Sequence, residues 1–347
     1  MKPLIEFTDR GLYCPPANIY VDPWRPVKNA IVTHAHSDHA RWGMKYYLAH
    51  HDSESILRLR IGQDISLQTL AYDQSINIAG VKVSLHPAGH IYGSSQVRLE
   101  YKGQVWVISG DYKLEDDGFS GQFEPVRCHS FVTESTFGLP IYSWKPQPLV
   151  MEEIHQWWQA NQSENKASLL IAYSLGKAQR IIHQLDRSIG SVYLHGAVYN
   201  VNNALITGGA TLPELPKVTS SVSKDELRKS LIIAPSSALN SPWVNRFKPF
   251  STGVASGWMM VRGAKRRRAA DRGFVLSDHA DWAGLNEAVE ATGADAVYVT
   301  HGFTSVFSRW LREQGRRAYE VETLYTGEEE TEEVTTLEDA GKSEKED

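Results

Sequence analysis

An α/β protein built in two parts is what this sequence of 347 residues predicts. Three features lead there. The first hundred and ten residues read as short apolar or alternating runs broken by Gly, Pro and Asp. From about position 148 helical and strand patterns alternate, and the same alternation returns after Gly273. With 41% hydrophobic and 22% charged residues, neither a disulfide scaffold nor a disordered chain fits.

The runs at 18–22, 30–33, 45–49, 75–79, 81–85, 96–100 and 105–108 predict strands. Next come a helix over 151–160, a buried strand over 168–172, a helix over 176–189 and a strand over 192–194. After Gly273 the pattern predicts a strand over 274–276, a helix from Trp282, a strand over 296–299 and a last amphipathic helix near 306–314. Residues 328–347 hold ten acids and two lysines, which predicts a solvated, disordered tail. Without that tail the chain has 34 basic residues against 31 acidic ones. Arg262, Lys265, Arg266, Arg267, Arg268 and Arg272 concentrate the positive charge, either as a phosphate-contacting patch or as a solvated face. Two isolated thiols, Cys14 and Cys128, predict a reducing compartment, the cytoplasm. No apolar stretch approaches the ~20 residues that span a bilayer, so a soluble protein without a membrane role is expected.

Residues 33–40 carry the most chemical information: His34, His36 and His39 with Asp38 directly follow an apolar strand. His34 and His36, two apart on extended backbone, point the same way. Such nitrogen and oxygen donors suit zinc or manganese, and Asp38 and His39 could reach a second ion beside the first. More donors stand where strands end: His90 after Pro87-Ala88-Gly89, Asp111 after Ser109-Gly110, and His301 after the run at 296–300. Singly each reads as an ordinary core or surface residue. Joined to the cluster they complete two coordination spheres.

Asp22, the His34-Ala35-His36-Ser37-Asp38-His39 segment, His90, Asp111 and His301 resemble the ordered motifs of the metallo-β-lactamase fold. That resemblance implies an αββα sandwich with one metal held by His34, His36, His90 and Asp111. The other would be held by Asp38, His39, Asp111 and His301, with Asp111 bridging and Asp22 supporting the loop. The segments 133–138, 277–281 and 300–302 resemble the motifs of the β-CASP nucleases, and 172–180 resembles the start of their inserted cassette. The implied layout is a metallo-β-lactamase domain over 1–141 and 271–327 with an α/β cassette over 142–270. Residues 23–27, 134–140 and 276–282 are similar to the bacterial DNA-ligase-associated exonucleases, a group encoded beside an ATP-dependent ligase and a helicase. That group implies action on DNA, on single strands or ends, in repair. His301 is the residue carried by RNA-processing branches, which keeps RNA open.

Hydrolysing a phosphodiester requires a nucleophile from water and a proton for the leaving oxygen. Two ions ~3.5 to 4 Å apart would lower the pKa of a bridging water and neutralise the phosphoryl oxygens. His279, which neither sphere needs, is expected to be the general acid, with Glu134 orienting it. Ser174, Lys177 and Arg180, at an expected helix start, are candidate phosphate contacts. Trp258 is a candidate for base stacking, with core packing as the alternative. A small-substrate metallohydrolase would share the ligands but has no use for Glu134, His279 or a cassette. A non-catalytic binding subunit is expected to lack ligands, and here every ligand position is filled.

Overall fold

The computed structural model describes residues 3–261 and 270–325. The chain divides into two compact units, one made of residues up to Ser143 and from Asp278 onward, the other of Trp144–Ser277. The expected tail and the run from Arg262 to Arg268 lie outside the described residues.

The first unit holds two sheets. One has six strands in sequence order: β1 (Glu6–Thr8), β2 (Gly11–Cys14), β3 (Ile19–Val21), β4 (Asn29–Ile31), β5 (Tyr46–His50) and β6 (Leu67–Leu70). The pairs from β1 to β3 are antiparallel and those from β3 to β6 parallel. A helix, α1 (Glu54–Ile61), joins β5 to β6, and after β6 follow β7 (Ser75–Ile78), β8 (Val81–Pro87), β9 (Ser95–Tyr101), β10 (Gln104–Ile108) and β11 (Ser130–Ser135). They form the second sheet with β17 (Ala296–Gly302) and β18 (Arg317–Glu320), in the order β18-β17-β11-β10-β9-β8-β7. The meander β7 to β10 is antiparallel, whereas β10, β11, β17 and β18 run parallel.

Side chains alternate along a strand, so a sheet covered on both faces needs apolar residues at consecutive positions. β10 meets this with Trp106 and Ile108 on one face and Val107 on the other. Trp106 and Ile108 join Val81, Val83 and Leu85 in a core with Leu12, Val21, Ile31 and Leu48 of the first sheet. On the opposite face Val107, Phe131, Val297 and Val299 pack on two helices, α6 (Trp282–Thr292) and α7 (Thr304–Glu313). Asp281 caps α6, its Oδ1 accepting the Gly284 N–H at 2.8 Å.

The second unit is a parallel five-stranded sheet in the order β13-β14-β12-β15-β16. Its strands are β12 (Ala167–Ile171), β13 (Val192–Leu194), β14 (Leu231–Ala234), β15 (Phe250–Ala255) and β16 (Arg272–Phe274). Leu170, Leu194 and Ile233 face a core shared with α2 (Gln147–Ser163), α3 (Lys177–Gln184) and α4 (Gly196–Thr207). Leu169, Tyr193 and Ile232 face the other, which takes Leu227 from α5 (Lys224–Leu227).

Three expectations shift. The helix predicted to reach residue 189 stops at Gln184, because Leu185 is extended and Asp186 accepts the backbone N–H (2.9 Å) and hydroxyl (2.6 Å) of Ser188. The strand predicted over 274–276 lies at Arg272–Phe274, paired with Gly253, Val254 and Ala255. That pairing keeps β16 in the second unit, so the chain returns to the first at Asp278 instead of near 271. Among the described residues no helix is long and apolar enough to cross a membrane.

Candidate metal centre and its acid–base neighbour

The ligand-rich loop follows β4 and is tied down by Asp22. Its Oδ1 accepts the Thr33 N–H (2.8 Å), and its Oδ2 accepts the Thr33 hydroxyl (2.6 Å) and faces His39 Nδ1 (2.8 Å). Asp22 has φ +43, a left-handed conformation that Asp tolerates better than most residues.

These bonds decide which imidazole nitrogen faces the site. Thr33 gives its one proton to Asp22, so the contact between Thr33 Oγ1 and His34 Nδ1 at 3.0 Å makes Nδ1 the donor. His39 donates from Nδ1 to Asp22, and His90 from Nδ1 to the Asp278 carbonyl at 2.7 Å. In all three rings Nε2 points to Asp111 Oδ2, at 3.6, 3.5 and 3.9 Å for His34, His39 and His90. His36 Nδ1 lies 3.1 Å from His90 Nε2, Asp38 Oδ2 is 3.7 Å from His39 Nε2, and His301 Nδ1 is 3.7 Å from Asp111 Oδ1. His34 Nε2, His39 Nε2 and His301 Nδ1 are buried without hydrogen-bond partners, the condition of donors that a cation would satisfy.

His34, His36, His90 and Asp111 thus form one group able to hold an ion, and His39, Asp111 and His301 another that shares Asp111. Asp38 stands beside the second group. Burial alone would push the His39 imidazole down, but Asp111, Asp38 and Asp22 raise its pKa to about 10. Burial, with His39 and His90 alongside, drives His34 well below the usual histidine range. Burial favours a protonated Asp111, yet His39 and the neighbouring imidazoles hold it well below the carboxylate range. Metal uptake at neutral pH is therefore expected to eject the His39 proton, apparent affinity falling about tenfold per unit of lowered pH while that ring titrates. Calorimetric titration in two buffers of different ionisation enthalpy checks this; uptake without proton release would remove His39 from the ligand set.

Close backbone approaches hold the donors. At Gly110 (φ +58) a Cβ would stand 2.7 Å from Thr33 Oγ1, so Asp111 can reach the loop only after glycine. At Gly302 (φ +88) a Cβ would lie 2.4 Å from Ser135 O. Gly302→Ala is expected to destabilise the protein by roughly 2 kcal/mol or more, since β17 must back away from β11 and carry His301 with it. Thermal unfolding measures this, and an unchanged midpoint would show that the strand end adapts.

Next to Asp111 sits a second constellation. Glu134, on β11, accepts the Tyr112 N–H at 2.7 Å and the Thr136 hydroxyl, and its carboxylate lies 2.8 and 3.0 Å from His279 Nδ1. Both side chains are buried, and donor atoms of Asp111, Glu134 and His279 fall within 4.8 Å of one another. Such a carboxylate fixes the ring orientation and places a proton on Nδ1.

A probable DNA ligase of Opitutus terrae is 30% identical over 313 residues, which is 90% of this chain and 30% of that protein. The endoribonuclease YSH1 of Saccharomyces cerevisiae is 27% identical over 122 residues, 35% of this chain and 15% of that one. Cleavage and polyadenylation specificity factor subunit 3 of Dictyostelium discoideum is 24% identical over 124 residues, again 35% of this chain and 16% of the relative. These likenesses are consistent with a β-CASP metallo-β-lactamase nuclease. It spans under a third of the length of each of these relatives. No family model matches it. A solved structure of an Enterococcus faecalis protein of unknown function superposes on 78% of this chain and 74% of its own, with a TM-score of 0.52 at 11% identity, a likeness of fold alone.

Three of the expected nucleic-acid contacts are at least half-buried. Arg180 is buried, and its guanidinium donates to Gln147 Oε1 and to the Ser277 carbonyl. It ties helix α3 to the Ser277 carbonyl within the second unit. Lys177 is buried as well, and Ser174 is half-buried. Trp258 packs on the core containing Leu169 and Ile232, so the core reading holds. One residue went unnoticed in the sequence. Tyr325 stacks flat on His39 (4.4 Å between centroids, 12° between planes), its hydroxyl donates to Asp22 O at 3.1 Å, and the Trp24 edge meets it at 5.4 Å. A lone tyrosine beyond the last strand carries no spacing that would reveal this.

Proposed function

We propose that this protein is a metal-dependent nuclease that hydrolyses phosphodiester bonds of DNA, an exonuclease acting on single strands or ends in repair. The first unit would be the metallo-β-lactamase domain, an αββα sandwich, and the second the β-CASP cassette. The observation that carries the reading is the convergence of seven imidazole and carboxylate side chains on Asp111 and its surroundings with the His279–Glu134 pair beside them. His34, His36, His90 and Asp111 would hold one zinc or manganese ion, and Asp38, His39, Asp111 and His301 the other. Bound there, the ions supply Lewis acidity that neutralises phosphoryl charge and makes water nucleophilic at neutral pH. Asp22 keeps the His39 ring turned toward the site. Glu134 stabilises the His279 imidazolium, whose Nε2–H protonates the alkoxide as its bond to phosphorus breaks. A small-molecule hydrolase would leave that pair idle.

DNA is favoured because the relative matching 90% of the chain is named as a probable DNA ligase, which also makes a ligase the expected partner, and the resemblance to ligase-associated exonucleases adds a helicase. RNA processing is the second reading, favoured by His301 and by the endoribonuclease names of the shorter matches. Single-stranded DNA and RNA of one sequence, each labelled at one end and incubated with zinc, manganese or magnesium, test both. Faster cleavage of DNA with release of terminal nucleotides is expected. RNA cut much faster than DNA would overturn it in favour of the second reading.

A further inference from the structure

Two loops of the first unit meet beside the ligand segment. Residues 24–28 and 41–46 are joined by the Lys45 N–H donating to Val27 O (3.2 Å), the Tyr46 N–H to Lys28 O (2.9 Å) and the Val27 N–H to Met44 Sδ (3.3 Å). The Tyr47 hydroxyl clamps the second loop, accepting from Met44 N at 3.1 Å and donating to Arg41 O at 3.0 Å. Arg41 Nε in turn donates to the Asp38 carbonyl at 3.3 Å, so the loop starts at the metal centre itself.

These eleven residues include Arg25, Lys28, Arg41 and Lys45 and no acid. Arg25 is paired with Asp9 at 2.8 Å, which leaves three cations. Among them stand two exposed aromatics, Trp42 at 77% and Tyr46 at 44% exposure, with Lys45 Nζ 5.3 Å from the centroid of the Tyr46 ring. Trp24, by contrast, is 8% exposed and serves the core. An indole so far out of the core, on an anchored loop three residues past His39 and among cations, has the makings of a stacking platform with phosphate contacts.

We propose that Trp42, Tyr46, Lys28, Arg41 and Lys45 hold single-stranded nucleic acid next to the metal centre, an unpaired base lying on the Trp42 indole and phosphates meeting the cations. This deepens the nuclease reading above and rests on it. The shared ligand chemistry is an accessible base face on a polyanionic backbone, present in DNA and RNA alike.

Fluorescence anisotropy of the full chain with labelled phosphorothioate oligothymidylate and oligouridylate, whose linkages resist cleavage, tests the proposal. Trp42→Ala is expected to weaken binding to both roughly 5- to 100-fold, and Trp42→Phe to restore most of it. The side chain is so exposed that folding is not at stake. Lys45→Gln should lower the slope of log affinity against log salt by about one. A relaxed, covalently closed circular duplex, which has neither ends nor unpaired loops, should lose little affinity in Trp42→Ala, because its bases offer no free face. If the wild-type chain binds and cleaves single strands while Trp42→Ala binds as tightly, the platform is overturned and the nuclease reading stands. Equal losses on the closed duplex would overturn base stacking. A wild-type chain that binds no oligonucleotide would overturn both readings.

Discussion

Asp111→Ala is expected to abolish hydrolysis of every phosphodiester, activated or natural, with a loss of at least roughly 10⁴-fold. Asp111 is the one carboxylate common to both candidate ligand groups, with four imidazole nitrogens 3.5 to 3.9 Å from its oxygens. Without it those rings face one another with no anion among them, and neither group keeps its full complement of donors. Elemental analysis should find close to two transition-metal ions per chain in the wild type and far less in the variant. Circular dichroism would show that the fold survives. Full metal content in Asp111→Ala would sink the shared-ligand arrangement.

His279→Ala is expected to behave in the opposite way toward metal while still losing turnover, by about 10²- to 10⁴-fold, the range of a missing general acid. The ring lies outside the two groups built on His34 and His39, so both ions should stay. Bis-nitrophenyl phosphate, whose leaving group needs no proton, should recover much of the loss. Glu134→Gln should give a milder version, since it weakens the partner of the ring and leaves the ring in place. Equal losses on activated and natural esters would show that His279 is not the acid. Loss of metal in His279→Ala would make it a ligand, which its place within 4.8 Å of Asp111 permits.

Residues 33–40 were legible because the donors are contiguous, and contiguity fixes their mutual reach whatever the rest of the fold does. His90, Asp111 and His301 were legible by their position after apolar runs that are indeed strands β8, β10 and β17. Side-chain identity alone says less about position. Lys177 and Arg180 have the chemistry of phosphate contacts but are buried, and exposure is set by packing that no local spacing encodes. Trp42 and Trp258 illustrate the same point from opposite sides, one standing out on a loop and the other lying on a core. Strands of three or four residues, such as β1, β2 and β6, offer too few positions for an alternation to be read. The helix α4 is rich in Val, Asn and Thr, poor helix formers, and is held by tertiary packing of Val198 and its neighbours.

The pairing of β11 with β17 has a bearing on synthesis. Ser135 bonds to His301 across 166 residues, whereas the second unit is an uninterrupted stretch of chain. During translation the whole of that stretch is made before β17 exists, so it can fold while the first unit still lacks the strand that pairs with β11. Until then β11 stands at the edge of an unfinished sheet with Glu134 on it, and the nitrogen that completes the second ligand group has yet to be polymerised. The second ligand group therefore cannot form before β17 is made, and any chain released before residue 301 emerges without it.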